Sequence, residues 1–284
     1  MLGTLLALEG CVFGGGGGAG CLPLLTPAAL PESIRESSGV VASRTHEGVF
    51  WTMEDSGPPL LYALGSDGDL RGSVRVPEDL GSDREDLSLG PCGSADCIYV
   101  ADVGDNLEQR SSITIYRLPE PDPGDETTPP PEVFRLRLPD GPRDVEATFL
   151  LPGERFHLIS KGRSDPPTLY RYPGPLTSDS TVVLERVQRF GDGPRSVARQ
   201  VTGADASRNG RTVAVRTYET LDFFAVEGDT LRSVPGSTVD LRTLREPQGE
   251  GIGLTPRGGV VLTSEQGPLG RRGSIALLGC EGEW

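Results

Sequence analysis

The sequence predicts an all-β fold. It is a β-propeller of five blades with four antiparallel strands each, its ring closed by strands from the two chain ends. Two observations carry this. A fixed plan recurs roughly every 45 to 60 residues, the mark of a blade array: an acidic or hydroxyl residue opens a strand, a Gly-bearing turn follows, and an apolar strand ends on a charged residue. The composition agrees, because 39 Gly and 25 Pro in 284 residues make turns frequent and leave little room for long helices.

The clearest copy of the plan is residues 83–106, D-R-E-D-L-S-L-G-P-C-G-S-A-D-C-I-Y-V-A-D-V-G-D-N. It reads as two strands and a turn. Glu85 opens the first strand, and the second ends in Asp102, Asp105 and Asn106. Ahead of it, 36–43, 49–57, 60–64 and 70–76 give the four strands of a first blade, with turns at T-H-E-G and S-D-G-D. Residues 112–118 and 133–138 complete the second blade around the Pro-rich acidic excursion 119–132, which reads as a solvated loop. The third blade is 143–150, 156–163, 168–172 and 181–187. The fourth is 201–207, 212–220, 222–226 and 231–234. The fifth offers only 247–254, 260–266 and 274–278, so its missing strand is expected from residues 21–30. Closure by both chain ends abolishes the open edge between first and last blade.

Residues 1–20 stand apart from the single domain 21–284. An apolar run meets Cys11 and a pentaglycine at 14–18 follows, the pattern of a lipoprotein signal with lipidation at Cys11 and a flexible tether, or of a plain export signal. The run is too short to span a bilayer, which takes roughly 20 apolar residues. The expected location is outside the cytoplasm, and the membrane is reached only through a lipid. In that oxidising setting the remaining Cys pair best as Cys21–Cys280, joining the chain ends, and Cys92–Cys97, flanking a tight turn.

Several function classes are excluded or disfavoured. A formal charge of -14 argues against nucleic acid, whose phosphates need Lys and Arg. No G-x-S-x-G is present, and neither His46 nor His157 sits in a catalytic motif. No strand–G-x-G-x-x-G–helix unit supports a flavin or nicotinamide enzyme.

Blade alignment puts Ser38, Glu85, Glu146, Thr202 and Glu250 in one slot on the channel-lining strands. The following strands end in Glu54 and Asp55, Asp102, Lys161, Arg216 and Glu265. Ionised carboxylates in one ring repel one another unless a cation or a basic side chain intervenes. Two answers remain open. Lys161 and Arg216 bridge the ring, or a hard divalent cation such as calcium binds to oxygens from Glu85, Asp102, Asp105, Glu146, Glu250 and Glu265.

The blade starts E-S-S-G-V, D-R-E-D-L, D-V-E-A, V-T-G-A-D and Q-G-E-G-I, with V-A-D-V-G-D-N after the second, resemble the SdiA-regulated family of bacterial five-bladed propellers. They are also similar to exported propellers described as phytase- or esterase-like. The resemblance spans roughly residues 32–280. It implies export and a link to calcium for some members, and it places channel roles on Glu85, Glu146, Glu250 and Asp205, with Ser38 and Glu36 in the first blade.

Two functions follow. The first is a monomeric binding or scaffold protein of the cell envelope, with an envelope protein or a small anionic ligand as partner. The alternative is a metal-dependent hydrolase of a phosphate ester, ester or lactone, whose cation activates water while Lys161 and Arg216 steady an anionic group.

Overall fold

The computed structural model describes residues 20–280, so Cys11 and the pentaglycine lie outside the described residues. Five four-stranded antiparallel units form the ring. Blade 1 runs Ser37–Ala42, Phe50–Glu54, Leu60–Leu64, Leu70–Arg75. Blade 2 runs Arg84–Cys92, Ala95–Asp102, Ile113–Pro119, Glu132–Arg137. Blade 3 is Val145–Leu151, Arg155–Ser160, Thr168–Arg171, Glu185–Arg189, and blade 4 is Val201–Ala206, Thr212–Thr217, Thr220–Glu227, Thr230–Ser233. Blade 5 takes Gln248–Leu254, Gly259–Glu265 and Ser274–Cys280 from the C-terminal end.

The last strand of blade 5 is Cys21–Pro23, antiparallel to Ser274–Cys280 with Cys21 opposite Cys280. A disulfide joins that pair, and a second joins Cys92 to Cys97 across the first hairpin of blade 2. Both expected pairings are present. Among the described residues no helix is long and apolar enough to cross a membrane.

The inner strands of every blade are buried on both faces, while the outermost strands are largely exposed. In the second strand of blade 2, Ile98 and Val100 point to the core shared with blade 1. Cys97, Tyr99 and Ala101, on the other face, join the core shared with blade 3. The same alternation generates the cores between blades 3 and 4, 5 and 1, and 4 and 5. A buried Leu, Val or Phe contributes about 1.5–3 kcal/mol, so these inter-blade cores hold the ring together.

One expected strand divides. Within 181–187, Val182–Val183 pairs parallel to the edge of blade 2, while Glu185–Arg189 closes blade 3. Leu184 between them is buried in the core between those two blades and donates its N–H to the Arg137 carbonyl at 2.9 Å. Burying that one side chain fixes the crossing point.

Candidate functional site

Each channel-lining strand carries a β-bulge near its start. The register slips between Ser37 and Val40, Arg84 and Asp86, Val145 and Ala147, Val201 and Gly203, and Gly249 and Ile252. A bulge adds one residue opposite its partner and re-aims a side chain. The residues so placed are Ser38, Glu85, Glu146, Thr202 and Glu250, the five assigned to one slot from the sequence. The second strands end at the same mouth, bringing Asp55, Lys161, Tyr218 and Glu265 beside them.

Lys161 is the pivot. Its Nζ lies 2.5 Å from Glu146 Oε1 and 4.0 Å from Asp144 Oδ2. The Tyr218 ring centroid is 6.0 Å away. Its backbone is clamped as well, N–H to the Asp144 carbonyl at 2.8 Å and C=O to the Val201 N–H at 3.0 Å. Burial works to strip the ammonium proton, but Glu146, Tyr218 and Asp144 outweigh it and hold the Lys161 pKa above its ordinary value.

The carboxyl groups are pressed the other way. Burial, reinforced by Glu146 and Asp83, pushes Glu85 well up. Burial raises Glu146 with help from Asp144 and Glu250, against the pull of Lys161. Glu250 is raised by burial, while Lys161, Gln248, Arg216 and Tyr218 oppose. Burial, with Glu250, Asp55 and Glu36, lifts Glu265 to about 8. Burial and the neighbouring Glu36 lift Asp55 to about 7. Gln248 Nε2 spans Glu250 at 2.8 Å and Glu265 at 2.7 Å. Near neutral pH the mouth therefore holds protonated carboxyls, carboxylates and an ammonium side by side.

The channel-lining strands of adjacent blades approach closely. A Cβ at Gly39 would overlap the Asp86 and Leu87 backbone, and one at Gly251 would meet the Ser38 carbonyl. Asp86, fully buried, accepts the Thr148 N–H of blade 3 at 2.7 Å and its neighbour's, Leu87, at 2.9 Å. The carboxyl-lined mouth of the channel, an acidic dish, is the candidate site.

Several assigned residues take other places. Asp102 pairs with Arg110 at 2.5 Å and accepts the Asp83 N–H at 3.2 Å. Asp105 accepts the N–H groups of Gln109 at 2.8 Å and Arg110 at 2.7 Å, so both carboxylates serve the loop outside the ring. Arg216 does not bridge the ring. It is buried with Glu246 and donates to the Gly251 carbonyl at 2.7 Å and that of Thr263 at 3.1 Å, supporting the bulge that carries Glu250. Thr202 turns its hydroxyl to the Glu250 carbonyl at 3.4 Å. Asp205 lies further along its strand and accepts the Leu254 N–H of blade 5 at 2.7 Å. Burial raises its pKa to about 6.

Other residues escaped the sequence reading. Asp83 and Asp144 precede their bulged Glu by two positions, as Gln248 precedes Glu250 and Gln200 precedes Thr202, the same spacing as Glu36, already assigned, before Ser38. A polar residue two places before each bulge was a legible signal. Tyr218 had none.

The oxygen-rich set has the chemistry calcium takes, and the Ser38 Oγ and Asp55 Oδ1 atoms are buried without a hydrogen-bond partner. The arrangement does not fit a divalent ion as it stands. Among the described residues no three acidic, His or Cys side chains converge on one point, and the Lys161 ammonium already faces Glu146.

No family model matches this chain. No curated protein matches it either. Solved structures do. The PQQ-bound aldose sugar dehydrogenase of Streptomyces coelicolor is 11% identical with a TM-score of 0.58, over 93% of this chain and 99% of that one. The soluble aldose sugar dehydrogenase of Escherichia coli, in its apo form, is 10% identical with a TM-score of 0.54, over 89% and 98%. A luciferin-regenerating enzyme is 10% identical with a TM-score of 0.50, over 90% and 96%. At such identities the likeness shows the propeller fold alone.

Proposed function

We propose that this chain is an exported hydrolase whose reaction takes place in the acidic dish, on a neutral carboxylic ester or a lactone rather than a phosphate ester. The observation that carries the reading is the bulge in every channel-lining strand, which delivers a ring of carboxyl groups to one mouth around the buried Glu146–Lys161 pair. Groups whose environments push their pKa values apart supply both acid and base at one pH. Glu265, lifted to about 8, donates a proton to the leaving oxygen. Glu250, whose ionised form is favoured by Lys161, Gln248 and Arg216, takes the proton of the attacking water. The C–O bond to water forms as the C–O bond to the leaving group breaks. Lys161 has three donors, so it meets Glu146 and a developing oxyanion together.

Charge selects the substrate. Lys161 is paired with Glu146 and Arg216 with Glu246, so a ligand that arrives as an anion meets a surplus of carboxyl groups. This weighs against phosphate esters and, equally, against an anionic partner at the mouth. The two disulfides and the family resemblance support an exported location. Several of the similar folds are named as enzymes, including the luciferin-regenerating enzyme.

One observation favours the second reading, a binding protein of the cell envelope. Leu107, Val197 and Leu269 stand exposed on loops of blades 2, 4 and 5 around the dish. Turnover separates the two. Wild type and Glu146→Gln are assayed against nitrophenyl esters, lactones and nitrophenyl phosphate, with Asp105→Asn as the control outside the ring. The hydrolase reading expects turnover of an ester or lactone that Glu146→Gln lowers at least a hundredfold and Asp105→Asn leaves alone. No turnover across the panel sinks it in favour of the binding role.

A further inference from the structure

A cleft of about 480 Å³ opens between blades 3 and 4, outside the acidic dish. Its walls are apolar, with Ile159, Val201 and Val215 below and Phe190 packed edge-to-face on Phe224 with ring centroids 5.8 Å apart. Arg189, Arg195 and Arg199 also line it. In a chain of net charge -14, none of these three arginines forms an ion pair among the described residues. Arg195 donates to the Phe190 carbonyl at 2.5 Å and Arg199 to the Thr220 hydroxyl at 3.2 Å, contacts that position the guanidinium groups without neutralising them. Asp222 is the carboxylate on the wall, and it accepts from the hydroxyls of Thr220 at 3.0 Å and Thr238 at 2.5 Å.

The corresponding cleft between blades 2 and 3 serves as an internal comparison. It holds about 340 Å³ and carries Arg110, Arg137 and Arg143. There Arg110 is tied to Asp102 at 2.5 Å and Arg143 to Asp165 at 2.9 Å. The same architecture pairs two of three arginines in one gap and none of three in the next.

We infer that the cleft between blades 3 and 4 binds a small amphipathic carboxylate, its apolar body against Phe190 and Phe224 and its anionic head on the unpaired arginines. The volume lies in the ordinary range for small-ligand sites, roughly 300–1,000 Å³, and such sites combine apolar walls with a few fixed polar groups. Arginine suits the head because its planar fork meets a carboxylate with two parallel bonds. The dish plays no part in this site, so the inference stands or falls apart from the hydrolase reading.

The test is calorimetric titration of the full chain with decanoate, decan-1-ol and decyltrimethylammonium, which share one alkyl body. The expected result is saturable decanoate binding, at least tenfold tighter than the alcohol, with no binding of the cation. Arg195→Gln combined with Arg199→Gln should weaken decanoate at least tenfold, and Arg189→Gln should weaken it by a smaller factor. Arg189 makes no side-chain hydrogen bond or ion pair among the described residues, so its replacement does not threaten folding, and Arg137→Gln in the neighbouring cleft should change nothing. Equal binding of the alcohol, decanoate affinity that ignores all three arginines, or no saturable binding of decanoate overturns the inference.

Discussion

Replacing Lys161 by methionine removes the ammonium around which the carboxyl ring is arranged. The pair separation of 2.5 Å sets the scale. At an effective dielectric of 20 the gross attraction is roughly 7 kcal/mol, much of it offset by the cost of taking both charges out of water. A buried charge stripped of its partner costs about 3–5 kcal/mol. Glu146 relieves part of that by taking a proton, and burial already pushes its pKa up. Its folded pKa then stands far above the unfolded value, so the folded state binds the extra proton and loses stability as pH rises between the two. The variant should stand close to wild type at pH 5 and about 3 kcal/mol below it at pH 9. The double variant Lys161→Met, Glu146→Gln should recover most of the difference, because no stranded carboxylate remains. Urea unfolding at both pH values reads the stabilities directly. A deficit of the same size at pH 5 and pH 9, unrelieved in the double variant, would refute the account of the pair.

Further expectations follow from the same structure. Glu265 is lifted to about 8 from 4.5, so its contribution falls as pH rises across that interval and is flat above it. Glu265→Gln should therefore be more stable than wild type at pH 9 by about 2 kcal/mol, allowing for solvent at a half-buried carboxyl, and indistinguishable from it at pH 4. The Cys21–Cys280 bridge closes a separation of 259 residues and Cys92–Cys97 one of 5. Chain entropy then predicts a loss of about 5.6 kcal/mol for the first pair replaced by Ser and about 2 for the second, read by urea unfolding. Gly39→Ala forces a methyl into the Asp86–Leu87 backbone and should lower the thermal midpoint sharply, whereas Gly124→Ala, with open space around it, should not.

The sequence made the ring legible because its strands repeat one local event. Ser38, Glu85, Glu146, Thr202 and Glu250 fall in equivalent slots since each sits at a bulge near the start of its strand. What lay beyond reach was direction. Arg216 ends its strand where a ring residue was expected. Its guanidinium runs beneath the bulge to the Gly251 carbonyl, because Glu246 waits there to pair with it. Asp205 lies three residues past the bulged Thr202, about 10 Å along an extended chain, and so leaves the mouth for the Leu254 N–H. Asp102 and Asp105 look like ring members in V-A-D-V-G-D-N, yet Arg110, a few residues on, folds back over Asp102. Each miss is a tertiary partner that spacing does not encode, and the division of residues 181–187 at Leu184 is another.

The account turns on the charge of the dish being settled from within, by Lys161 and by protons shared among the carboxyl groups. Thermal unfolding of the metal-stripped full chain, with and without millimolar calcium and with magnesium as the control, tests this most directly. A cation bound only by the folded state adds RT ln(1 + [L]/Kd), about 2.7 kcal/mol at a hundredfold excess over Kd. The predicted result is a wild-type midpoint that ignores calcium and a Lys161→Met midpoint that calcium raises, because removing the ammonium leaves its place to another cation. A calcium-specific rise in wild type that Glu146→Gln abolishes would contradict the account and put a metal where Lys161 has been placed.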